Sequence, residues 1–179
     1  MAVPVYVSLK SNYMIKNVSV VFVALATISL LFFSFVGKDT PTEGLTIGDK
    51  APDFKICADK QLVELKDFKG KYVVLSFWAS YDAASRIQNV TLNHAVSKND
   101  QVEMVSVSFD DFKSIFNETI KKDRITTSHC FVETEGEDSE IYQTYRLNKG
   151  FKNYLLNEEG VIIAKNIDAS QLASYLNWW

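Results

Sequence analysis

Residues 77–86 read Phe-Trp-Ala-Ser-Tyr-Asp-Ala-Ala-Ser-Arg. An apolar run, residues 72–79, leads into and overlaps this stretch, and a helical pattern follows it. Because the run is apolar on both sides of its alternation, it predicts a strand that is covered on both faces. Asp82 is a favourable N-cap residue, so a helix is predicted from about Asp82 to Ser97. The stretch therefore predicts a buried strand, a turn of small residues and the start of a helix.

Further periodic stretches extend this unit in both directions. Upstream, alternation at residues 51–57 and 61–65 predicts a β-hairpin. Downstream, the pattern predicts a strand at 101–109, a helix at 112–122 capped by Asp110 and Asp111, a strand at 128–132, a helix at 139–147, a hairpin at 154–164 that turns at Gly160, and a final helix at 170–178. This order fits an α/β domain in which a central mixed sheet carries helices on both faces.

Three motifs resemble one known family. Residues 77–86 resemble the Phe-Trp-Ala-Ser-Trp-Cys-Pro-Pro-Cys-Arg signature of the thiol–disulfide oxidoreductases and redoxins. Residues 48–54 are similar to the family's Gly-x-x-Ala-Pro-x-Phe opening, and residues 65–71 to its Leu-x-Asp-Phe-x-Gly-Lys lead into the first core strand. Over roughly residues 47–176, the resemblance implies a thioredoxin fold with an extra N-terminal β-hairpin. It places the chain in the membrane-anchored oxidoreductase or redoxin branch (alkyl hydroperoxide reductase/thiol-specific antioxidant).

The chain departs from this family where the chemistry is expected. In the family, a thiolate at a helix N-terminus attacks a disulfide and a second cysteine resolves the mixed disulfide. Here the two cysteine positions hold Asp82 and Ser85, which cannot form a disulfide. Three more positions differ: Phe151, after Gly150, replaces the cis-proline, Gln88 replaces an assisting acidic residue, and Tyr81 replaces a tryptophan. The resemblance therefore implies a retained scaffold without catalytic residues, in which Asp82 caps a helix.

Two cysteines remain, Cys57 and Cys130, both in predicted strands. Their spacing matches no redox or metal motif. Three interpretations stay open: two buried small apolar residues, a structural disulfide in an exported compartment, or a thiol-based redox role.

Other catalytic and metal sites are not expected. Ser85 would need a base to act as a nucleophile, but His94 lies more than two turns further along the same predicted helix and His129 belongs to a strand. The pair His129-Cys130 lacks further metal ligands. The acidic residues between 133 and 140 are interpreted as a solvated loop, with weak divalent-ion binding as an alternative. We expect no cofactor.

Residues 18–36 form an uncharged apolar run, which is long enough for a helix to cross a bilayer. Lys10 and Lys16 precede the run, so the N-terminus is expected in the cytoplasm and the later residues outside it. A cleaved signal peptide starting near Met14 is the rival interpretation, but residues 35–37 make a poor cleavage site. The predicted organisation is a short cytoplasmic segment (1–17), an anchor or signal peptide (18–37), a linker (38–46) and the thioredoxin-like domain (47–179).

The charge pattern gives no support for nucleic-acid binding. The chain has a net charge of −3, and removing the two positive charges of Lys10 and Lys16 leaves −5 for residues 38–179. A mildly acidic domain without a basic cluster in its sequence does not attract a phosphate backbone.

Two functions follow as hypotheses. The first is a membrane-tethered extracytoplasmic protein that is redox-inactive at the usual site and binds an envelope protein or peptide. Its groove is predicted to be formed by Trp78, Tyr81, Asp82, Gly150 and Phe151. The alternative is an enzyme, a thiol-based oxidoreductase or antioxidant protein that uses Cys57 or Cys130.

Overall fold

A computed structural model describes residues 40–58 and 61–176 of the chain. The predicted membrane segment at 18–36 lies outside these residues, as do the predicted cytoplasmic segment and the end of the last predicted helix. Within the described ranges, none of the helices combines the length and the apolar character that crossing a membrane requires.

The described elements follow the predicted order. The strands are β1 (Lys55–Ala58), β2 (Gln61–Glu64), β3 (Tyr72–Trp78), β4 (Val102–Ser108), β5 (Cys130–Val132), β6 (Asn153–Leu156) and β7 (Ile162–Lys165). The helices are α1 (Ala83–Val96), α2 (Lys113–Asp123), α3 (Glu140–Thr144) and α4 (Ala169–Tyr175). Short 3-10 helices occupy Leu65–Phe68, Gly136–Asp138 and Leu147–Lys149.

Five strands form the central sheet in the order β5-β4-β3-β6-β7. Strands β3, β4 and β5 run parallel, while β6 pairs antiparallel with β3 and with β7. Strand β3 lies in the middle, which explains why its sequence is apolar on both sides. The first hairpin, β1 with β2, is a separate antiparallel pair. The predicted mixed α/β architecture is confirmed.

Alternate residues of the sheet supply two apolar cores. On one face, Phe77, Tyr145 and Tyr154 pack with residues of β1 and α3. On the other face, Val74 and Leu155 pack with residues of α1 and α4. Because side chains alternate along a strand, neighbouring residues such as Tyr154 and Leu155 contribute to opposite cores.

Two predicted helix boundaries are wrong. The residue that caps α2 is Phe112, and no side chain caps this helix, so the predicted cap by Asp110 and Asp111 does not form. The helix predicted at 139–147 is shorter, because Tyr145 ends α3 and Arg146 adopts a left-handed φ of 52°. A left-handed residue terminates an α-helix, and a 3-10 turn follows.

The segment before the first hairpin folds back on the far edge of the sheet. The Gly48 N–H donates to the Ile162 carbonyl at 2.9 Å, and the Ile162 N–H donates to the Asp49 carbonyl at 2.8 Å. Within the segment, the Lys50 N–H donates to the Thr42 carbonyl at 2.8 Å. Residues 42–50 are therefore held beside β7 and form one wall of a cleft described below.

Candidate functional site

The turn between β3 and α1 has the predicted strand-turn-helix geometry. Strand β3 ends at Trp78, whose carbonyl accepts from the Phe109 N–H of the neighbouring strand end at 2.8 Å. The Asp82 N–H donates to the Ala79 carbonyl at 3.2 Å, which closes the turn. The carboxyl end of a parallel strand followed by a helix N-terminus is where α/β proteins place their ligand sites.

Asp82 and Ser85, at the family's cysteine positions, are engaged with each other. The Asp82 carboxylate accepts from the Ser85 N–H at 2.7 Å, which is N-cap geometry, as predicted. The Ser85 hydroxyl donates to the Asp82 carbonyl at 3.2 Å, and the side chain is buried. Ser85 is therefore not presented as a nucleophile. His94 lies nine residues further along α1, about 13 Å away at the helical rise per residue.

Asp110 anchors the turn from beneath, a role that sequence reasoning missed. Its side chain is 2% exposed. The Ser80 N–H and hydroxyl donate to one carboxylate oxygen at 2.9 and 2.6 Å, and the Ser108 hydroxyl donates to the other at 2.7 Å. The position of Asp110 in the sequence could have indicated this role. Asp110 follows the end of β4, and the carboxyl ends of parallel strands meet at one edge of a sheet.

A facing segment, residues 150–152, approaches the turn as the family resemblance implied. The peptide bond before Phe151 is trans, in agreement with the absence of a proline there. Gly150 has a φ of 101°, which favours glycine. The Lys152 carbonyl accepts from the Phe77 N–H at 3.0 Å and holds the segment against β3. Among the described residues, neither the Gly150 carbonyl nor the Phe151 N–H takes part in a hydrogen bond.

Aromatic side chains connect the turn to the facing segment. The ring centroids of Tyr81 and Phe151 are 6.3 Å apart, and Phe151 stacks on Phe109 at 5.9 Å. Phe109 in turn lies 5.4 Å from the ring of Tyr142. We call Tyr81, Phe151, Phe109 and Tyr142 the aromatic row. Tyr81 is 71% exposed and Phe151 is half-buried, so this end of the row faces solvent.

The surroundings of Tyr81 are acidic. Partial burial raises the pKa of its hydroxyl, and the Tyr142 hydroxyl and the carboxylates of Asp111, Asp110 and Asp82 raise this pKa further. Each of these groups disfavours a negative charge on Tyr81. Tyr81 therefore stays neutral and lies in a negative potential.

Two of the predicted site residues lie elsewhere. Trp78 is 1% exposed, and its indole N–H donates to the Ser106 hydroxyl at 2.8 Å, so it supports the turn from the core and does not line a groove. The alternation of β3 explains this correction, since Trp78 points to the sheet face that α1 covers. The Gln88 side chain donates to the Ile167 carbonyl at 3.2 Å and ties α1 to the segment before α4.

The remaining cysteines have different environments. Cys57 is exposed, so the expectation of a buried side chain is wrong for it; β1 belongs to a two-stranded hairpin, and Cys57 lies on its outer face. Cys130 is half-buried in β5, and burial raises its pKa to about 11, with a smaller opposing effect from the Ser106 hydroxyl. Both thiols are free, so the predicted alternative of a structural disulfide does not form in this structure.

The histidine and acidic residues named from the sequence form no metal site in the described ranges. His129 stacks edge-on against Phe68 at 4.7 Å, and its Nδ1 is 3.5 Å from a carboxylate oxygen of Glu103.

Comparison with protein families decides the relationship that these motifs indicated. The family model described as AhpC/TSA matches residues 47–165, which is more than half of the chain. The chain belongs to the AhpC/TSA family.

Among individual proteins, the chain is similar to Thiol-disulfide oxidoreductase ResA from Oceanobacillus iheyensis, with 25% identity over 94% of this chain and 90% of that protein. Among solved structures, it is similar to a thioredoxin-like protein from Parabacteroides distasonis, with 43% identity, a TM-score of 0.69, and coverage of 78% of this chain and 100% of that one. A thiol-disulfide oxidoreductase from Bacteroides fragilis matches at 27% identity with a TM-score of 0.60, over 72% of this chain and 98% of that one.

These relatives establish a thioredoxin fold of the thiol-disulfide oxidoreductase type. Their names favour the oxidoreductase hypothesis over the binding hypothesis. The side chains of this chain argue in the opposite direction, because Asp82 and Ser85 carry no sulfur.

Proposed function

We propose that this AhpC/TSA-family domain is redox-inactive at the usual site and binds an extended peptide segment of another protein across Tyr81 and Phe151. The proposal rests on the side chains that occupy the family's two cysteine positions. Asp82 and Ser85 hydrogen-bond to each other and cap the helix. Thiol–disulfide exchange instead requires a thiolate that attacks and a second thiol that resolves the mixed disulfide.

The facing segment supplies the means of binding. The free Gly150 carbonyl and Phe151 N–H are backbone groups that an added strand can pair with. Tyr81 and Phe151 beside them offer aromatic surface, and an exposed tyrosine ring adds contact area with little loss of side-chain entropy. The negative potential at Tyr81 favours a segment that combines apolar and basic side chains.

A kinetic capture experiment tests this proposal. In an Asp82→Cys/Cys57→Ser background, the introduced thiol is accessible and the natural exposed thiol is absent. This protein reacts with a peptide whose central cysteine is activated as a thionitrobenzoate disulfide and flanked by leucine and lysine. Absorbance of the released thionitrobenzoate gives the rate. We expect the peptide to react faster than activated free cysteine, because binding precedes the exchange step.

Variants at the aromatic row provide the control. Tyr81→Ala or Phe151→Ala in the same background is expected to lower the ratio of the peptide rate to the free-cysteine rate about threefold to tenfold. This is the effect of losing an aromatic contact. Ile47→Ala, at a side chain that is 64% exposed and belongs to the segment beside β7, should leave it unchanged. Equal rates for peptide and free cysteine in the parent background would refute the proposed groove.

The location of the protein belongs to the same proposal. The uncharged run at residues 18–36, preceded by Lys10 and Lys16, supports a single-pass membrane protein whose domain lies outside the cytoplasm. A partner is then a protein or peptide of the cell envelope. Protease accessibility of the domain in intact cells, compared with permeabilised cells, checks this location.

A second candidate is a thiol-based oxidoreductase or antioxidant protein. The names of the relatives favour it, and Cys57 is exposed to solvent. Cys130 is a weaker candidate, since a pKa of about 11 leaves it almost entirely protonated at neutral pH. A peroxide-consumption assay separates the candidates, because turnover that Cys57→Ser abolishes would replace the binding proposal by this one.

A further inference from the structure

A cleft is lined in part by Lys152 of the facing segment. This cleft has a volume of about 480 Å³, and four cationic side chains line it: Arg146, Lys149, Lys152 and Lys165. Three of them come from the turn between α3 and β6, and the fourth comes from β7. No two of them are adjacent in the sequence, and Lys165 joins the other three only in the folded domain.

The four cations are not neutralised by ion pairs. In the ranges that the structure describes, no carboxylate lies within ion-pair distance of any of them. They are close enough to act on one another: after burial, the charges of Lys165, Lys149 and Arg146 are what lower the pKa of Lys152. Arg146 and Lys149 are exposed, and together the four cations form a local positive potential that attracts anions, in a domain whose net charge is −5.

Two acidic residues, Glu43 and Asp49, also line the cleft. The Asp49 carboxylate is used inside its own loop, where it accepts from the Thr46 N–H at 2.8 Å and from the Thr46 hydroxyl. These bonds lower the pKa of Asp49 and fix its orientation. Counting all six charged side chains leaves two uncompensated positive charges in the cleft.

The floor of the cleft holds a polar group without a partner. Tyr154 lines the cleft, its side chain is 0% exposed, and its hydroxyl makes no hydrogen bond to any described residue. The Lys165 ammonium lies 5.8 Å from the centre of the Tyr154 ring. A buried hydroxyl without a partner is costly, and it is not accessible from the cleft in this structure.

One wall of the cleft is held in place by the domain itself. The Lys165 ammonium donates to the Leu45 carbonyl at 2.6 Å, and this bond fixes the loop over β7. The same loop bonds to Ile162 through Gly48 and Asp49. The cationic groups therefore face a preformed wall, which lowers the entropic cost of binding a ligand.

We propose that this cleft binds a small multivalent oxyanion, a phosphate or carboxylate compound, with Arg146, Lys149 and Lys152 as charge partners. Arg146 supplies the planar donor fork that matches such groups. The volume admits a molecule larger than a single phosphate. The proposal is independent of the peptide groove, since neither Tyr81 nor Asp82 lines the cleft.

Calorimetric titration of the full-length protein in non-ionic detergent tests the proposal. The probes are pyrophosphate and citrate, each at an ionic strength matched with sodium chloride. We expect saturable binding of at least one probe that sodium chloride does not reproduce. Tighter binding of pyrophosphate assigns a phosphoryl ligand, and tighter binding of citrate assigns a carboxylate ligand. Binding of neither probe overturns the proposal.

Matched variants distinguish a specific binding site from general electrostatic attraction. Arg146→Gln and Lys152→Gln should each weaken binding about tenfold, because each removes a charge-assisted contact. Lys98→Gln removes the same charge after α1, on the sheet face opposite Tyr154, and should leave the affinity unchanged. Equal losses in Lys98→Gln and Lys152→Gln would overturn the proposal.

Discussion

Replacing Asp82 by alanine tests whether the residue at the family's first cysteine position stabilises the domain as a helix cap. The Asp82 carboxylate accepts from the Ser85 N–H at 2.7 Å at the first turn of α1. Loss of an N-cap side chain costs about 1 kcal/mol, within a range of about 0.5–2 kcal/mol. The negative charge near the helix N-terminus adds about 0.3 kcal/mol at a half-exposed position. Asp82→Ala should therefore lower the free energy of unfolding by about 1–1.5 kcal/mol.

Urea denaturation followed by circular dichroism measures this loss. With an m-value of about 2 kcal/mol/M for a domain of this size, the midpoint should fall by about 0.5–0.8 M without a change in slope. Asp82→Asn keeps an acceptor oxygen and loses only the charge, so the free energy of unfolding should fall by about 0.3 kcal/mol. Asp111→Ala is the matched control, because Asp111 is exposed and caps no helix.

The outcome that would refute the reasoning is a midpoint for Asp82→Ala equal to that of the wild type or above it. A stabilising substitution is typical of a residue that is kept for activity at a cost in stability. Asp82 would then have to be treated as a functional carboxylate.

Four further predictions concern the support of the turn, an ion pair between α1 and α2, and the two thiols. Asp110→Ala should lower the free energy of unfolding by about 2–3 kcal/mol in the same urea assay, because it leaves the half-buried Ser80 and the buried Ser108 without their acceptor. A double-mutant cycle on the Arg86–Asp123 pair, whose two N···O contacts are 2.6 and 2.7 Å, should give a coupling of about 1 kcal/mol that falls on addition of salt; zero coupling would contradict the structure. For Cys130, the folded-state pKa of about 11 lies above that of an unfolded thiol, so the unfolded chain loses its proton first. Its stabilising contribution is complete below about pH 8.5 and lost as the pH rises through 11; the difference between wild type and Cys130→Ala in thermal unfolding should shrink over this interval, and a constant difference would count against it. Iodoacetamide at pH 7.5 should label Cys57 first, as mass spectrometry of peptides can show.

The sequence predicted the scaffold of the site because its signals are local. A short run that is apolar on both sides of its alternation favours a strand covered on both faces. Asp82 lies just after that strand and caps the helix that follows. The position of Phe151 opposite the turn came from the family resemblance, and the ring distance to Tyr81 agrees with that placement.

Features that depend on the folded chain could not be predicted in this way. Trp78 lies next to the turn in sequence, but the alternation of β3 directs it into the core. Asp110 was interpreted as a cap of the helix that follows it, because helix caps are local and its bond to Ser80 spans thirty residues of sequence. The cationic cleft joins β7 to the turn before β6, and only the antiparallel pairing of these strands brings their side chains together.

Reduction of insulin disulfides tests most directly the claim that the scaffold is retained without its redox chemistry. The wild type, with dithiothreitol as reductant, should precipitate insulin no faster than dithiothreitol alone, because no thiol stands at residues 82 and 85. The matched variant Asp82→Cys/Ser85→Cys, which returns both thiols to the start of α1, should accelerate the reaction. Acceleration by the wild type that is lost in Cys57→Ala or Cys130→Ala would contradict the account and assign the chemistry to those thiols.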